Sequence, residues 1–130
     1  MLLRTSEGYE ISDDRARLDL DTVCDFLATA YWSSHRERDV VERAIANSWP
    51  MGLYAPDGAQ VGFARAVTDR AAFAYLADVF VLPAHRGRGL ARLVVKELMG
   101  LPELTHVERW LLATADAHDV YAALGYTALP

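Results

Sequence analysis

The run Asp78-Val79-Phe80-Val81-Leu82-Pro83-Ala84-His85-Arg86-Gly87-Arg88-Gly89-Leu90-Ala91 holds the residue types and spacing best suited to chemistry. An apolar stretch leads into a polar loop with glycines at 87 and 89, and Leu90, Leu93, Val94, Glu97 and Leu98 then follow helical spacing. Amides at a helix start have no intrahelical acceptor, and the helix dipole adds partial positive charge to them. Glycine lets a backbone approach a ligand closely. With Arg86 and Arg88 beside them, the amides from Arg86 to Ala91 make a nest suited to phosphate, and best to a diphosphate. Three phosphate-binding patterns compete for this loop. A Walker A loop ends in Gly-Lys-Ser/Thr, whereas this one has Gly89-Leu90-Ala91. A dinucleotide fingerprint needs glycine or alanine where Arg92 stands, and no Pro-Ala-His-Arg spacer after its strand. Arg/Gln-x-x-Gly-x-Gly/Ala after a strand is matched at every fixed position by Arg86-Gly87-Arg88-Gly89-Leu90-Ala91.

Other residues carry weaker signals. Asp78 interrupts an apolar stretch, where an unpaired carboxylate is costly and its pKa rises. It is either a proton acceptor or the partner of Arg65 or Arg109 on a neighbouring strand. His35, His85, His106 and His118 lack ligand spacing, so no metal site is expected. Cys24 lies on an apolar helix face and reads as a buried, inert thiol. Tyr31, Trp32 and Trp49 fall at the ends of two early helices, either as an aromatic wall for an amine or as ordinary packing. Arg36, Arg38 and Arg43 alternate with Glu37, Asp39 and Glu42, which reads as a solvated helix face.

The elements that must position these residues follow from periodicity. Tyr9 to Ser12 alternates as a short strand. Asp19 or Asp21 can cap a helix whose apolar face is Leu20, Val23, Phe26, Leu27 and Ala30. Ser34-His35-Arg36-Glu37 has capping-box spacing for a second helix, with Val40, Val41, Ala44 and Ile45 as its buried stripe. Met51–Ala55 and Gln60–Thr68 flank the turn Pro56-Asp57-Gly58, and Val61, Phe63, Arg65 and Val67 share one face. Phe73 to Leu82 is apolar on both faces, as in a doubly covered central strand. Short turns join these three strands, predicting an antiparallel meander. After the loop and its helix come a strand at Trp110–Thr114, a helix at Asp116–Leu124 and a short strand at Tyr126–Leu129. The predicted order is β-α-α-β-β-β-α-β-α-β.

Composition bounds the function. A chain of 130 residues, 52% hydrophobic and 24% charged, fits one globular domain over residues 1–130 and excludes disorder. A net charge of −5 disfavours a nucleic-acid backbone as partner. Arg86, Arg88, Arg92 and Lys96 gather at one helix start, so the remainder is more negative still, which predicts attraction of a cationic amine. With one cysteine, no secretory leader and no apolar run of about 18 residues, the expected place is the cytoplasm, away from membranes.

The Arg86–Ala91 segment resembles the coenzyme A signature of the GNAT superfamily of N-acetyltransferases, and specifically a compact bacterial subgroup. Gly62-Phe63-Ala64-Arg65 resembles the third strand of that subgroup and Leu76 to Pro83 its fourth; Thr114 to Tyr121, with Leu124-Gly125-Tyr126, resembles its late helix. The resemblance implies an α+β fold, an α/β/α sandwich whose mixed, mostly antiparallel sheet is flanked by helices. The final strand of such relatives is largely missing here, and the sheet edge so left allows a homodimer. The implied cosubstrate is acetyl-CoA, with no metal and a small-molecule amine as acceptor. Its pantetheine would bond backbone groups of Val79, Phe80 and Val81, and its diphosphate the amides of Arg86, Gly87, Arg88, Gly89, Leu90 and Ala91. The amine would attack the thioester directly, with an amide near Val79 stabilising the developing oxyanion. Asp78, or a water chain leading to a base, would take the ammonium proton. Tyr121, otherwise a core tyrosine, would protonate the departing thiolate; a phenol of ordinary pKa near 10 carries its proton at neutral pH. Tyr31, Trp32 and Arg65 are the candidate acceptor-binding residues. Two alternatives use the same loop: an acyl-CoA-binding sensor without catalysis, and a peptide N-acetyltransferase.

Overall fold

Apolar alternation on the strands and three- and four-residue spacing on the helices produce a layered α/β arrangement. The computed structural model describes residues 2–114 and 117–128. Its elements are β1 (Leu3–Arg4), β2 (Glu10–Ser12), α1 (Leu20–Leu27), α2 (Arg38–Ala46), β3 (Trp49–Tyr54), β4 (Gln60–Thr68), β5 (Phe73–Val81), α3 (Leu90–Met99), β6 (Arg109–Leu111) and α4 (His118–Ala122). The six strands form one sheet in sequence order, antiparallel except for the β5–β6 pair, which is parallel. Leu90, Val94, Val95 and Leu98 of α3 pack on one face with Ile11, Met51, Leu53, Ala64, Leu76 and Val81. Val23, Cys24 and Leu27 of α1 and Val41 and Ile45 of α2 pack on the other, with Phe63 and Phe80. Each buried Val, Leu, Ile, Met or Phe among them, removed from water, contributes roughly 1.5–3 kcal/mol before entropy is counted. The sandwich expected from the sequence is present.

Several boundaries differ from the sequence reading, each for a local reason. β1 is only two residues long and gave no periodic signal. Asp19, not Asp21, caps α1, its carboxylate accepting the Thr22 amide at 3.2 Å. The capping-box spacing misplaces the start of α2: Glu37 is the N-cap, without a side-chain bond, and residues 31–35 form turns. Val40 is consequently 41% exposed, and only Val41 and Ile45 of the expected stripe are buried. β3 begins at Trp49, which therefore stands on a strand. Val67 is exposed, whereas β4 before it is buried on both faces. β5 is covered on both faces only in its second half; Phe73 and Tyr75, in its first half, are exposed. β6 and α4 are shorter than expected. Residues 126–128 form no strand; Asp116 and Leu129, read as an element start and end, lie outside the described residues.

Two irregularities of β5 shape the site. Phe63 pairs with Phe80 and Arg65 with Ala77, so Ala64 faces the two residues Asp78 and Val79. This is a β-bulge, and Asp78 takes the left-handed conformation it needs, with φ +54°. The extra residue reverses the side-chain alternation: Leu76 points to the α3 face, while Phe80 points to the α1/α2 face. The second irregularity is that β6 pairs with β5 only at Phe73, Ala74 and Tyr75. Beyond Tyr75 the two strands part, and among the described residues nothing pairs with that edge of β5.

Candidate active site

At the far end of that open edge lies the glycine loop. Gly87 and Gly89 have φ of +82° and +72°, values that a side chain would strain, and a Cβ at either would meet nothing within 4 Å. Gly89 is the N-cap of α3 and offers no side-chain bond, so the amides of the first turn keep their donors for a ligand. A hollow of about 230 Å³ sits over them, lined by Arg86, Gly87, Gly89, Leu90, Ala91, Arg92 and Val120 among others. The two arginines do different things. Arg86 Nε donates to the Val81 carbonyl at 2.8 Å and ties the loop to β5. Arg88 pairs with Glu7 at 2.7 Å on the surface. His85 packs edge-on against Tyr9, whose hydroxyl lies 2.7 Å from its Nδ1, and this fixes the loop's entry.

The unpaired edge connects this hollow to a second one. Leu82 donates to the Val61 carbonyl of β4 at 2.8 Å. By antiparallel alternation Phe80 faces β4 as well, whereas Val79 and Val81 turn their backbone groups to the open side. Of the three residues expected to meet a pantetheine arm, then, Phe80 is placed elsewhere; its ring stacks on Phe26 at 4.1 Å. Where β5 and β6 separate there is a cleft of about 220 Å³, lined by Tyr31, Trp32, Arg36, Tyr75, Asp78, Val79, Thr114 and Tyr121 among others. α4 borders both spaces, Val120 on the loop hollow and Tyr121 on the cleft. The Tyr121 ring packs against Tyr126 at 5.9 Å. Trp49 is not among the cleft residues; its ring lies under Arg70, 6.0 Å away.

Asp78 is the most heavily bonded side chain of the cleft. Its Oδ1 accepts from Trp32 Nε1 at 2.9 Å and Arg36 Nη1 at 3.1 Å, and its Oδ2 from Arg65 Nε at 2.8 Å. Arg65 reaches on to Ser48 Oγ at 2.9 Å. It stands behind Asp78 without lining the cleft, and Arg109 is exposed on β6. Burial pushes the Asp78 carboxyl up, but Arg65, Trp32 and Arg36 together pull it further, leaving it below the ordinary 3.8. A carboxylate so held, with both oxygens engaged, has little basicity to offer at neutral pH. Arg36 is a correction to the sequence reading: it precedes α2 and turns into the cleft, while Arg38 and Arg43 do form the solvated face with Asp21, Glu42 and Asp39. Cys24 is buried, and burial pushes its thiol up, away from reactivity.

A depressed carboxylate pKa stabilises the fold above the ordinary value, and that stability is lost as pH falls through the folded-state value. Glu10, Asp19 and Asp69 are lowered too, so the informative quantity is a difference. Thermal midpoints followed from neutral pH to below about pH 4 are expected to fall less steeply in Asp78→Asn than in the wild type. Parallel curves would show that the buried cluster does not contribute.

The chain matches the family model described as acetyltransferase (GNAT) family over residues 17–126. It belongs to the GNAT acetyltransferase family. A Gibberella zeae protein named "putative acetyltransferase" is 30% identical over 90% of this chain and 77% of its own length. A crystal structure of a "putative acetyltransferase" of the GNAT family from Xanthomonas campestris pv. campestris superposes with a TM-score of 0.89, at 41% identity, covering 94% of this chain and 86% of that one. A structure from Deinococcus radiodurans R1, 19% identical and covering 100% of this chain and 90% of its own, has a TM-score of 0.77 and shares the fold. Members of this GNAT family use acetyl-CoA as cosubstrate, and the open Gly87–Gly89 cradle with its uncapped helix start fits a diphosphate of that size. Gly89→Val is accordingly expected to weaken coenzyme A binding roughly tenfold or more, since a left-handed β-branched residue costs about 1–2 kcal/mol and fills the cradle. Calorimetric titration checks this, and unchanged affinity would remove the loop from the binding site.

Proposed function

We propose that this GNAT protein is an N-acetyltransferase that moves the acetyl group of acetyl-CoA to a primary amine of a small molecule by direct attack. The reading rests on the open β5 edge, which runs from the glycine loop to a cleft where Tyr121 stands. When bound, acetyl-CoA supplies a thioester whose carbon accepts the amine and whose sulfur leaves with the C–S electron pair. Amides from Gly87 to Ala91 hold the diphosphate, the Arg86 amide expected with them being bonded to the Pro83 carbonyl at 3.3 Å instead, and the backbone of Val79 and Val81 orients the arm. The Val79 amide is a backbone donor for negative charge developing on the acyl oxygen. Tyr121 delivers a proton to the departing sulfur. Asp78 acts by position: it holds Trp32 and Arg36 on the cleft wall and leaves proton removal to solvent reached through the cleft mouth. Two guanidiniums against one carboxylate also lower the pKa of an ammonium beside them, which eases loss of its proton. A cleft of about 220 Å³ supports a small acceptor over a polypeptide.

Transfer of labelled acetyl from acetyl-CoA to a panel of small amines and peptides, with products identified by mass spectrometry, tests the reading. Labelled small amines are expected. Label found only on peptides would move the acceptor class, and saturable coenzyme binding with no product on any acceptor would make the protein a sensor.

A further inference from the structure

Arg36 is one arginine more than Asp78 requires. Arg65, with its side chain 9% exposed, already meets the Asp78 carboxylate at 2.8 Å. Arg36 adds a second positive charge through Nη1, at 3.1 Å from Oδ1 and 3.2 Å from Oδ2. Among the described residues its Nε and Nη2 make no hydrogen bond, and its side chain keeps 24% exposure on the cleft wall. Among the described residues, Arg36 and Asp78 are the charged ones that line this cleft, with Arg65 directly behind. Among the described residues, two positive charges against one negative give the wall a surplus of one positive charge. The turn that carries Arg36 is held at several points. The Ala30 carbonyl accepts the amides of Ser33 at 3.1 Å and Ser34 at 2.9 Å, and the Ser33 carbonyl accepts the Arg36 amide at 3.0 Å. The buried Ser33 hydroxyl donates to the Leu27 carbonyl at 2.7 Å, and Trp32 is held on Asp78. The guanidinium is therefore pre-aimed, so little freedom is lost when it binds.

We propose that Arg36 reads a carboxylate on the acceptor, so that the substrates are amines that also carry an anionic group, amino acids in the broad sense. The fork left by Nε and Nη2 matches a carboxylate side-on. The exposed rings of Tyr31 and Tyr75 flank the cleft and leave room for an apolar body. A purely cationic amine, favoured by the net charge of −5, meets the wrong local sign here. This proposal rests on the cleft being the acceptor site of the reaction proposed above.

The test compares matched acceptors, α-, β- and γ-amino acids each against its own carboxamide, in acetylation kinetics and by calorimetric binding. The wild type is expected to favour the carboxylates roughly tenfold or more in kcat/KM, mostly through KM, as a charge-assisted pair on one partner would give. In Arg36→Gln that ratio is expected to fall to near unity, and Arg36→Lys, which keeps a charge on Asp78 but not the fork, to restore part of it. Taking the ratio within each protein cancels any general loss of activity or folding. Carboxamides used as well as carboxylates by the wild type, or a preference that survives Arg36→Gln, would overturn the proposal. The two readings fail distinguishably: Arg36-dependent carboxylate binding with no acetylated product would keep the carboxylate contact but overturn the acetyltransferase and with it the ligand's role as acceptor, while acetylation without carboxylate preference would overturn this proposal alone.

Discussion

Asp78→Asn is expected to destabilise the fold by about 3–5 kcal/mol, the range for removing one partner of a buried ion pair. The cause is electrostatic. Arg65 stays where it is, 9% exposed in its side chain, facing a neutral amide in place of a carboxylate. Arg36 and the Trp32 indole lose the same acceptor, so the turn that carries them loses its anchor on the sheet. Asparagine is the right probe because φ at this bulge is +54°, which Asp and Asn tolerate and alanine does not. Alanine would add about 1–2 kcal/mol of backbone strain and confuse the two effects. Urea unfolding should show a lower midpoint at unchanged slope, and heating a midpoint on the order of 10–20 °C lower. Adding Arg65→Gln should recover part of the loss, because the stranded charge is then gone as well. A loss below about 1 kcal/mol, the size seen for exposed pairs, would mean that the carboxylate is not committed to its arginines. Asp78 would then return as a proton acceptor.

Tyr121→Phe is expected to lower kcat by about 10²-fold or more, the usual worth of a placed general acid, while acetyl-CoA affinity changes only a few-fold. The ring's packing on the α3-side core and against Tyr126 survives the substitution, so the fold is expected to survive as well. The split is informative: a residue needed only for packing would alter stability and affinity together. A pH profile of kcat that loses its alkaline limb in the variant would assign that limb to the tyrosine. Full activity would take Tyr121 out of the chemistry and leave solvent to protonate the sulfur.

What could be read in the sequence was what depends on neighbours along the chain. The loop from Arg86 to Ala91 is such a case, because left-handed glycines and a helix start are local properties. The element order from β2 through α4, the two packed faces of the sheet and a cap at Asp19 or Asp21 are others. What escaped depends on contacts far apart in sequence. Arg36 meets Asp78 at a separation of 42 positions, and the alternating charges around it imitate a solvated helix. The capping-box spacing at Ser34 to Glu37 misled for a related reason: Ser33 and Ser34 are spent on a turn. The bulge at Asp78 did leave a trace, since aspartate is among the few residues at ease at positive φ, but a polar residue in an apolar strand reads equally as catalytic. The parting of β5 and β6, which makes the cleft, has no signature in either strand alone.

In the mechanism proposed above, the glycine loop and the cleft are two ends of one coenzyme site along the open edge of β5. Titrating acetyl-CoA into isotope-labelled protein and following the backbone amide spectrum checks this without an acceptor. Saturable shifts with one affinity are expected at Gly87, Gly89, Leu90 and Ala91 and also at Val79 and Val81. Shifts confined to the loop, or centred on the separate hollow between Asp13–Arg15 and Ala46–Pro50, would contradict it.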